Sequence, residues 1–409
     1  MAKRKHSKKT KKNKKEAHQP VLRPKRTKSG FTKIKVVGNG GGGGNAVTRM
    51  IAGDRLKGVE FIAINTDAQD LDYAEAHRKV YIGKALTKGL GTGMNPELGK
   101  QAAEENRSEI GEILEGADVV FITAGMGGGT GTGAAPVIAE IAKEKGILTL
   151  AIVTKPFAFE GAQRMTIALD GLARLKDKVD ALVVVPNDRI FALIDKDTPL
   201  TRAFGFIDDI LKNGVKAIAE LVNAPGIINV DFADIRSILK EAGPTLVGVG
   251  TASGQDRSMK SVNAAINSPL LEVSMEGAKG LLFSVAGGRD LKMSEINDIA
   301  KAIAANLDSN AKVIFGAYHD RNLKDKSLKV TVIATGFNGI FSNPRIANSA
   351  PTLFVTGLGN KSEGDESDQE IRDRKRHVTV EEPSKSAKSG ESQKTEVWEV
   401  PAFLRKKKR

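Results

Sequence analysis

The sequence predicts an α/β fold built around a parallel sheet. Strand-length apolar runs alternate with helix-like segments from residue 31 onward. Two glycine-rich runs, at 38–45 and 125–133, each follow a predicted strand and lead into a predicted helix. A long amphipathic segment, 201–222, separates an earlier group of elements from a later one. These observations predict two α/β domains joined by a central helix.

The first predicted domain, residues 31–200, takes its sheet from five apolar runs. The predicted strands are 31–37, 58–65, 117–124, 147–154 and 181–187, and the clearest helices are 96–115 and 134–142. Because helices separate the strands, the strands are expected to run parallel, with ligands binding at their carboxyl ends. Both glycine runs fall at that edge.

The central helix and the second, smaller domain follow. Apolar residues recur at spacings of three and four in 201–222, and Pro225 and Gly226 are expected to end the helix. Residues 223–340 contain predicted helices at 232–241, 257–266 and 294–306, and predicted strands at 246–251, 280–286, 311–317 and 328–334. This domain has no glycine-rich phosphate loop.

Composition narrows the class of protein. The chain has 409 residues, of which 40% are hydrophobic, enough for two sizeable cores. The absence of cysteine excludes disulfides, thiolate metal sites and cysteine nucleophiles. The longest apolar runs, such as 147–153, are far shorter than a membrane span, and the N-terminus lacks the apolar core of a secretory signal. A cytoplasmic protein is expected.

The net charge of +14 is concentrated at one end. Residues 1–30 hold ten lysines and three arginines against one glutamate, so they carry +12 of it. We expect a disordered basic tail that makes nonspecific contact with nucleic acid or anionic lipid, or serves only as a solvated arm.

The other end combines a polar linker with an apolar peptide. Residues 341–395 are polar with mixed charges, which predicts a flexible linker. Residues 396–409 contain the only tryptophan, Trp398, beside further apolar groups. A short aromatic peptide on a flexible tether is typical of a docking segment, although a chance cluster is the alternative.

Strand, glycine run and helix in succession form a typical phosphate site. Backbone N–H groups converge there, and the helix N-terminus adds partial positive charge. Thr130 and Thr132 can add hydroxyl donors. A flexible linker is the alternative for any glycine run, but both runs lie between periodic elements rather than between domains.

A dinucleotide-binding fold is the rival hypothesis. Gly38, Gly40 and Gly43 match its fingerprint, and Asp67 could serve as the ribose acid. That fold has no place for the second glycine run. A P-loop is excluded because the chain has no GxxxxGK[ST] motif.

Four motifs carry a family resemblance. They are GMGGGTGTG at 125–133, NGGGGGNAV at 39–47, FEGAQR at 159–164 and NVDFAD at 229–234. The combination closely resembles the FtsZ family, the bacterial tubulin-like division GTPases, over about residues 31–336 plus the terminal peptide. The resemblance implies a tubulin-like GTPase fold and a cell-division protein that forms a filamentous ring at the division site. Residues 396–409 resemble the family's terminal peptide, which binds membrane-tethering division proteins.

The resemblance also implies roles for individual residues in binding GTP or GDP with Mg²⁺. The nucleotide-binding residues are Gly41, Gly42, Gly43, Gly44 and Asn45 from the first run, Gly129, Thr130 and Gly131 from the second, then Glu160, Arg164, Phe204 and Asp208. Phe204 would stack on the base and Asp208 would read its edge. Each residue also has a structural alternative. Glu160 and Arg164 could form an i,i+4 ion pair on a helix surface. Phe204 could be a core residue, and Asp208 could be a solvated acid on a helix.

The acidic pair Asp231 and Asp234 matches the family residues that position and polarise the attacking water. The resemblance places this pair on the face opposite the nucleotide, so that one subunit completes the site of the next in a head-to-tail filament. Asp234 could instead be a first-turn helix acid.

Asn39 departs from the family pattern, in which small or apolar residues are usual. The alternative function is a nucleotide-binding structural filament with little turnover.

Overall fold

The computed structural model describes residues 32–337, apart from 53–55, 57, 193, 196, 224–225, 268–274, 321–322 and 325. The predicted basic tail, the linker and the docking peptide lie outside the described residues, as does Pro225.

Six parallel strands form the first part of the sheet. They are β1 (Ile34–Asn39), β2 (Val59–Asn65), β3 (Arg78–Tyr81), β4 (Val119–Gly125), β5 (Leu148–Lys155) and β6 (Ala181–Pro186). Their order is β3-β2-β1-β4-β5-β6, and every neighbouring pair is parallel. The predicted parallel sheet is therefore confirmed. Because β1 and β4 are parallel neighbours, the two glycine runs that follow them leave the sheet side by side.

Five further strands extend the same sheet. They are β7 (Gly226–Ile228), β8 (Gly243–Ser253), β9 (Ala278–Gly287), β10 (Leu307–His319) and β11 (Ser327–Thr335). Only β9 and β10 run parallel; β11 lies antiparallel between β8 and β9, and β7 antiparallel on β10. The two parts meet where β6 pairs with β8 over two residues, Ala181 with Gly243 and Leu182 with Pro244. The complete sheet is mixed.

Eleven helices are described. They are α1 (Gly40–Ala52), α2 (Ala68–Tyr73), α3 (Lys84–Thr87), α4 (Pro96–Glu105), α5 (Arg107–Leu114), α6 (Gly129–Glu144), α7 (Ala162–Lys176), α8 (Leu200–Asn223), α9 (Phe232–Leu239), α10 (Arg257–Ile266) and α11 (Met293–Ala304). None of these helices has the length and apolar character needed to cross a membrane.

The cores lie on both faces of the sheet. On one face, α4, α5, α6 and α7 cover the parallel strands. On the other, α1 and α8 pack together with α9, and this core reaches residues of β9 and β11. A third core lies between β9, β11 and the pair α10 and α11. Residues 201–222 are helical as predicted, and the predicted apolar face of α8, including Ala203, Leu211 and Val215, is buried.

The single helix predicted for 96–115 is wrong. The segment forms α4 and α5, which meet at Asn106 with non-helical dihedrals of φ −104° and ψ 22°. Asn106 Oδ1 accepts a hydrogen bond from the Gly83 N–H at 3.0 Å, and its amide donates to Glu109 at 2.9 Å. The side-chain bonds of one asparagine thus stabilise a break that helical periodicity does not reveal.

Close backbone contact between α4 and α6 depends on glycine. A Cβ at Gly133 would lie 1.9 Å from the carbonyl oxygen of Pro96, and a Cβ at Gly99 would lie 2.5 Å from that of Gly129. Neither neighbour is a flexible side chain that could move aside. The second glycine run is therefore also a helix-packing surface.

We expect Gly133→Ala to lower the free energy of unfolding by about 3 kcal/mol, because the new methyl group meets backbone atoms in a packed core. Urea unfolding followed by circular dichroism measures this. Gly111→Ala is the matched control: Gly111 also lies in a helix, but its nearest neighbour is the flexible end of Lys145 at 3.3 Å. That variant should be as stable as the parent or up to about 1 kcal/mol more stable. Equal stability of the two variants would contradict the packing argument.

Candidate functional site

The first glycine run is mostly helical rather than a loop. β1 continues to Asn39, and α1 begins at Gly40, whose φ of +69° is in the left-handed region that favours glycine. A Cβ at Gly43 would lie 2.4 Å from the carbonyl oxygen of Thr123. Packing against β4 thus holds a sequence of low helix propensity in a helix, and its first N–H groups have no partner within the helix.

The second glycine run follows the same plan. β4 ends at Gly125, Gly127 turns the chain with a φ of +95°, and α6 begins at Gly129 after the N-cap Gly128. The helix therefore includes the last five residues of the run, which the sequence predicted as a loop. Its first turn presents the N–H groups of Gly129, Thr130 and Gly131, three of the residues expected to bind phosphate.

The two helix N-termini lie against each other. A Cβ at Gly40 would be 2.9 Å from the Gly131 nitrogen, and a Cβ at Gly42 would be 3.3 Å from the Gly125 nitrogen. Both contacts exist because glycine lacks a side chain. The positive ends of two helix dipoles therefore converge at the carboxyl ends of adjacent parallel strands, an arrangement suited to binding a polyanion.

Two threonine hydroxyls expected as phosphate donors make hydrogen bonds within the protein. The Thr130 hydroxyl lies 2.6 Å from that of Thr66 and 3.2 Å from that of Thr92, and Thr132 Oγ1 accepts the Gly127 N–H at 2.9 Å. Both threonines are buried. These hydrogen bonds brace the second run. The expectation that the two hydroxyls also donate to phosphate stays a prediction, because a hydroxyl that accepts a hydrogen bond can still donate its own hydrogen. Sequence reasoning missed Thr66 and Thr92, which lie in different segments.

Glu160 and Arg164 lie beside the second run. Glu160 accepts the Phe157 N–H at 2.8 Å and forms an ion pair with Arg164 at 2.9 Å, the i,i+4 pair that the sequence allowed. A Cβ at Gly127 would lie 2.8 Å from the Arg164 carbonyl oxygen, so the turn and the start of α7 are in contact. The buried Nε of Arg164 has no hydrogen-bond partner among the described residues, which leaves a cationic donor at the edge of the phosphate site.

Phe204 is not a core residue. Its side chain is 41% exposed, and its ring meets Phe157 edge to face with centroids 5.7 Å apart. Phe157 is buried and also contacts the exposed rings of Phe159 and Phe191. This aromatic cluster packs the start of α8 against the end of β5 and leaves part of the Phe204 ring exposed to solvent, where a planar ligand can stack.

Asp208 is not a solvated helix acid. Its side chain is 12% exposed and its Oδ2 lies 2.7 Å from Nε of Arg49 on α1. Burial raises the pKa of Asp208 to about 6, which the Arg49 charge partly opposes and Asp209 adds to. Sequence reasoning missed Arg49, because nothing in the sequence connects α1 with α8. Asp208 lies one turn beyond Phe204 on α8, so the two residues expected to hold the base share one face of the helix.

A shallow groove runs between α1, the end of β2 and α2. Gly41, Gly44, Asn45, Asn65 and Asp70 are among its lining residues. It begins at the first glycine run, so the polar groups of Asn45, Asn65 and Asp70 lie beside the candidate phosphate site. In the described part of the chain, no cluster of three or more histidine, cysteine or acidic residues could hold a metal by itself.

Asp67, the acid of the rival dinucleotide hypothesis, has a structural use. It caps α2, and its carboxylate accepts the Asp70 N–H at 3.1 Å. The second glycine-bearing helix, which a dinucleotide fold does not accommodate, forms half of the candidate phosphate site. The arrangement therefore does not favour the dinucleotide hypothesis.

Asp231 and Asp234 lie far from the glycine runs. Asp231 caps α9 by accepting the Ala233 N–H at 3.0 Å, and Asp234 is an exposed acid in the first turn. Arg236 in the same helix donates to the carbonyl oxygen of Gly146 at 3.0 Å, next to the amino end of β5. β5 has 8 residues, about 23 Å from end to end. The phosphate site therefore lies at the carboxyl ends of the parallel strands, and the acidic pair lies near their amino ends.

Two segments of the chain match models of known protein families. Residues 33–195 match the GTPase domain of the Tubulin/FtsZ family, and residues 243–338 match the C-terminal domain of the FtsZ family.

Solved structures give the same relationship. A structure described as an empty FtsZ dimer from M. jannaschii is 45% identical to this chain, with a TM-score of 0.70, covering 75% of this chain and 88% of that one. CetZ2 from Haloferax volcanii, described as a GTPγS-bound protofilament, is 23% identical with a TM-score of 0.64 and covers 74% and 92%. At that identity the likeness shows the fold alone. Both organisms are archaea, so the bacterial source expected from the sequence stays a prediction.

Proposed function

The chain belongs to the Tubulin/FtsZ family of GTPases, and on that premise we propose that it hydrolyses GTP in a site completed between subunits. The subunits polymerise head to tail into filaments that form the cell-division ring. The observation that supports this proposal most strongly is the separation of two half-sites. The phosphate half-site consists of the two glycine-rich helix N-termini, which meet at the carboxyl ends of the parallel strands. The acidic half-site, Asp231 and Asp234, lies near the amino ends of the strands.

The residues of the phosphate half-site fit a nucleoside triphosphate. The first turns of α1 and α6 supply two sets of N–H donors, and glycines without Cβ atoms let phosphate oxygens approach both backbones. Asn45 lies exposed one turn into α1, where its amide can donate to a phosphate oxygen. Arg164 adds positive charge beside the second run. Mg²⁺ carried by the phosphates would neutralise their charge, with Asp70 beside Gly41 as the acid nearest the first run.

Phe204 and Asp208 suit a guanine base. Guanine presents two adjacent donors, N1–H and the exocyclic amine, and one carboxylate can accept both. Adenine has an acceptor at N1 and would leave the buried carboxylate without that bond, a loss of roughly 1.5–3 kcal/mol. On this proposal the guanine edge takes the place that Arg49 occupies against Asp208 in the free protein.

Hydrolysis needs a group that orients and polarises water against the terminal phosphate. We assign this role to Asp231 and Asp234, both exposed at the start of α9. Because they lie an entire strand length from their own chain's phosphate site, they can serve only the site of a neighbouring subunit. A contact between the acidic pair of one subunit and the phosphate site of the next joins two different surfaces. Such a contact is heterologous and propagates into a filament.

The alternative is a filament that binds nucleotide structurally and turns it over little. Both functions require the phosphate half-site, but only the hydrolase requires the acidic pair. Phosphate release as a function of protein concentration separates them.

Cellular roles follow as further parts of the proposal. We place the protein in the cytoplasm at the division site, where residues 396–409 bind membrane-tethering division proteins. Residues 1–30 make nonspecific contact with nucleic acid or anionic lipid through their charge of +12.

The first functional prediction concerns the base. GTP should bind more tightly than ATP by about 10- to 100-fold at pH 7.5, and Asp208→Ala should remove most of this preference. Because Asp208 has a raised pKa of about 6 and binds guanine only when ionised, the preference should also fall as the pH is lowered through 6. Isothermal titration at pH 5 to 8 measures it. Asp209→Ala, which removes an exposed neighbour, should retain the preference, and equal affinities for GTP and ATP in the parent would refute the assignment.

The second concerns the shared site. Specific GTPase activity should rise steeply above a threshold protein concentration, because each site needs two subunits. Asp231→Ala and Asp234→Ala should bind GTP normally but hydrolyse it at least about tenfold more slowly. Asp298→Ala, which removes an exposed helix acid elsewhere in the same half of the chain, is the control and should remain active.

Mixing two inactive variants tests the same site directly. Asn45→Asp should bind GTP poorly because a new carboxylate repels phosphate at an exposed position, yet it keeps both catalytic aspartates. Added to Asp234→Ala, it should restore part of the activity by lending its acidic loop. Activity strictly proportional to concentration down to isolated monomers would contradict the shared site.

The third concerns the chain ends. Deleting residues 396–409 should leave GTP hydrolysis intact and abolish binding to the membrane-tethering partner. Deleting residues 1–30 should remove salt-dependent binding to DNA and to anionic vesicles in cosedimentation. Undiminished polyanion binding by the shortened protein would show that the tail is not the binding element.

A further inference from the structure

Asn39 joins the two glycine-rich runs from inside the protein. It is the last residue of β1, and its backbone pairs with Ile64 on β2 and Ala124 on β4. Its side chain is fully buried. The Nδ2 amide donates to the carbonyl oxygen of Gly131 at 3.1 Å and to that of Thr130 at 3.4 Å. One side chain at the end of the first strand thus holds the first turn of the second helix.

The amide is retained at a cost. Asn39 Oδ1 is buried and has no hydrogen-bond partner among the described residues. An unpaired buried acceptor is unfavourable for folding, and an apolar residue of similar size would avoid it. The two donated bonds stabilise the fold by about as much as the unpaired oxygen costs, so stability alone gives no net reason for asparagine at this position. A polar group that breaks a local rule of this kind calls for a functional explanation.

The position of the two bonds supplies one. Gly131 and Thr130 carry N–H groups in the first turn of α6, and Gly40, the residue after Asn39, begins α1 and lies against the Gly131 nitrogen. Bonds from Asn39 to these carbonyl groups fix the distance and the angle between the two sets of N–H donors. A polyphosphate that is held by both sets requires that spacing to be constant.

We propose that Asn39 is a positioning residue that sets the geometry of the phosphate site by clamping the N-terminus of α6 to the end of β1. This inference rests on the proposed GTPase function. Asn39 touches no phosphate itself; it acts through the backbone of Thr130 and Gly131. Its effect is confined to ligands that carry phosphates, because the base is held elsewhere, by Phe204 and Asp208.

The test is Asn39→Val, which removes both bonds and the unpaired oxygen together. We expect GTP to bind about tenfold more weakly, while the affinity for guanosine, which has no phosphates, stays unchanged and the midpoint of urea unfolding is equal or higher. Thr331→Val is the matched control, since Thr331 Oγ1 is also buried without a partner but lies on β11. That variant should bind GTP and guanosine as the parent does.

Each other outcome overturns the inference. If Asn39→Val binds GTP like the parent, or loses GTP and guanosine affinity in proportion, the clamp does not set the phosphate geometry. Should the valine variant fail to fold, Asn39→Ala makes the same comparison without the larger side chain, and failure of both would show a purely structural role. If the parent protein itself binds no GTP, the proposed function fails, and the inference with it; a defect confined to the variants leaves the proposed function intact.

Discussion

The structure depends on the close approach of two backbones that no side chain separates. Gly40 and Gly42 of α1 lie against Gly131 and Gly125 at the second run. That approach is possible only because β1 and β4 are adjacent parallel strands, so both chains leave the sheet at the same edge and turn into helices there. Sheet order, glycine content and the convergence of two helix dipoles are therefore parts of one constraint.

Helix α8 connects this edge with the rest of the molecule. Near its start, Asp208 pairs with Arg49 of α1. Near its end, Glu220 accepts hydrogen bonds from Tyr318 at 2.8 Å and Lys329 at 2.9 Å, which belong to β10 and β11. Both carboxylates are largely buried and both are bonded to partners from other elements, so the axial position of α8 is fixed at two points. Displacement at one end would have to break or rearrange polar contacts at the other.

The sequence was sufficient for features that repeat or that use distinctive residues. The parallel strands, the helix at 201–222 and the location of both glycine runs at one sheet edge were all predictable from periodicity and spacing. Features set by a single long-range side-chain bond were not. The helix break at Asn106, the pairing of Arg49 with Asp208 and the engagement of the Thr130 hydroxyl each join segments distant in the chain. Short elements such as β3 and α3 carry too few residues for a periodic signal.

The glycine runs show why their conformation, unlike their location, was missed. In a helix, glycine is unfavourable by roughly 1 kcal/mol per residue relative to alanine. The five successive glycines at 40–44 therefore predict a loop. Here the first turns of α1 and α6 are helical because tertiary contacts outweigh propensity: larger residues at Gly43 or Gly133 would clash with the backbone of Thr123 or Pro96. A flexible loop would have to lose conformational entropy on binding phosphate. A glycine helix held by packing has already lost it during folding, and its N–H groups are oriented before the ligand arrives.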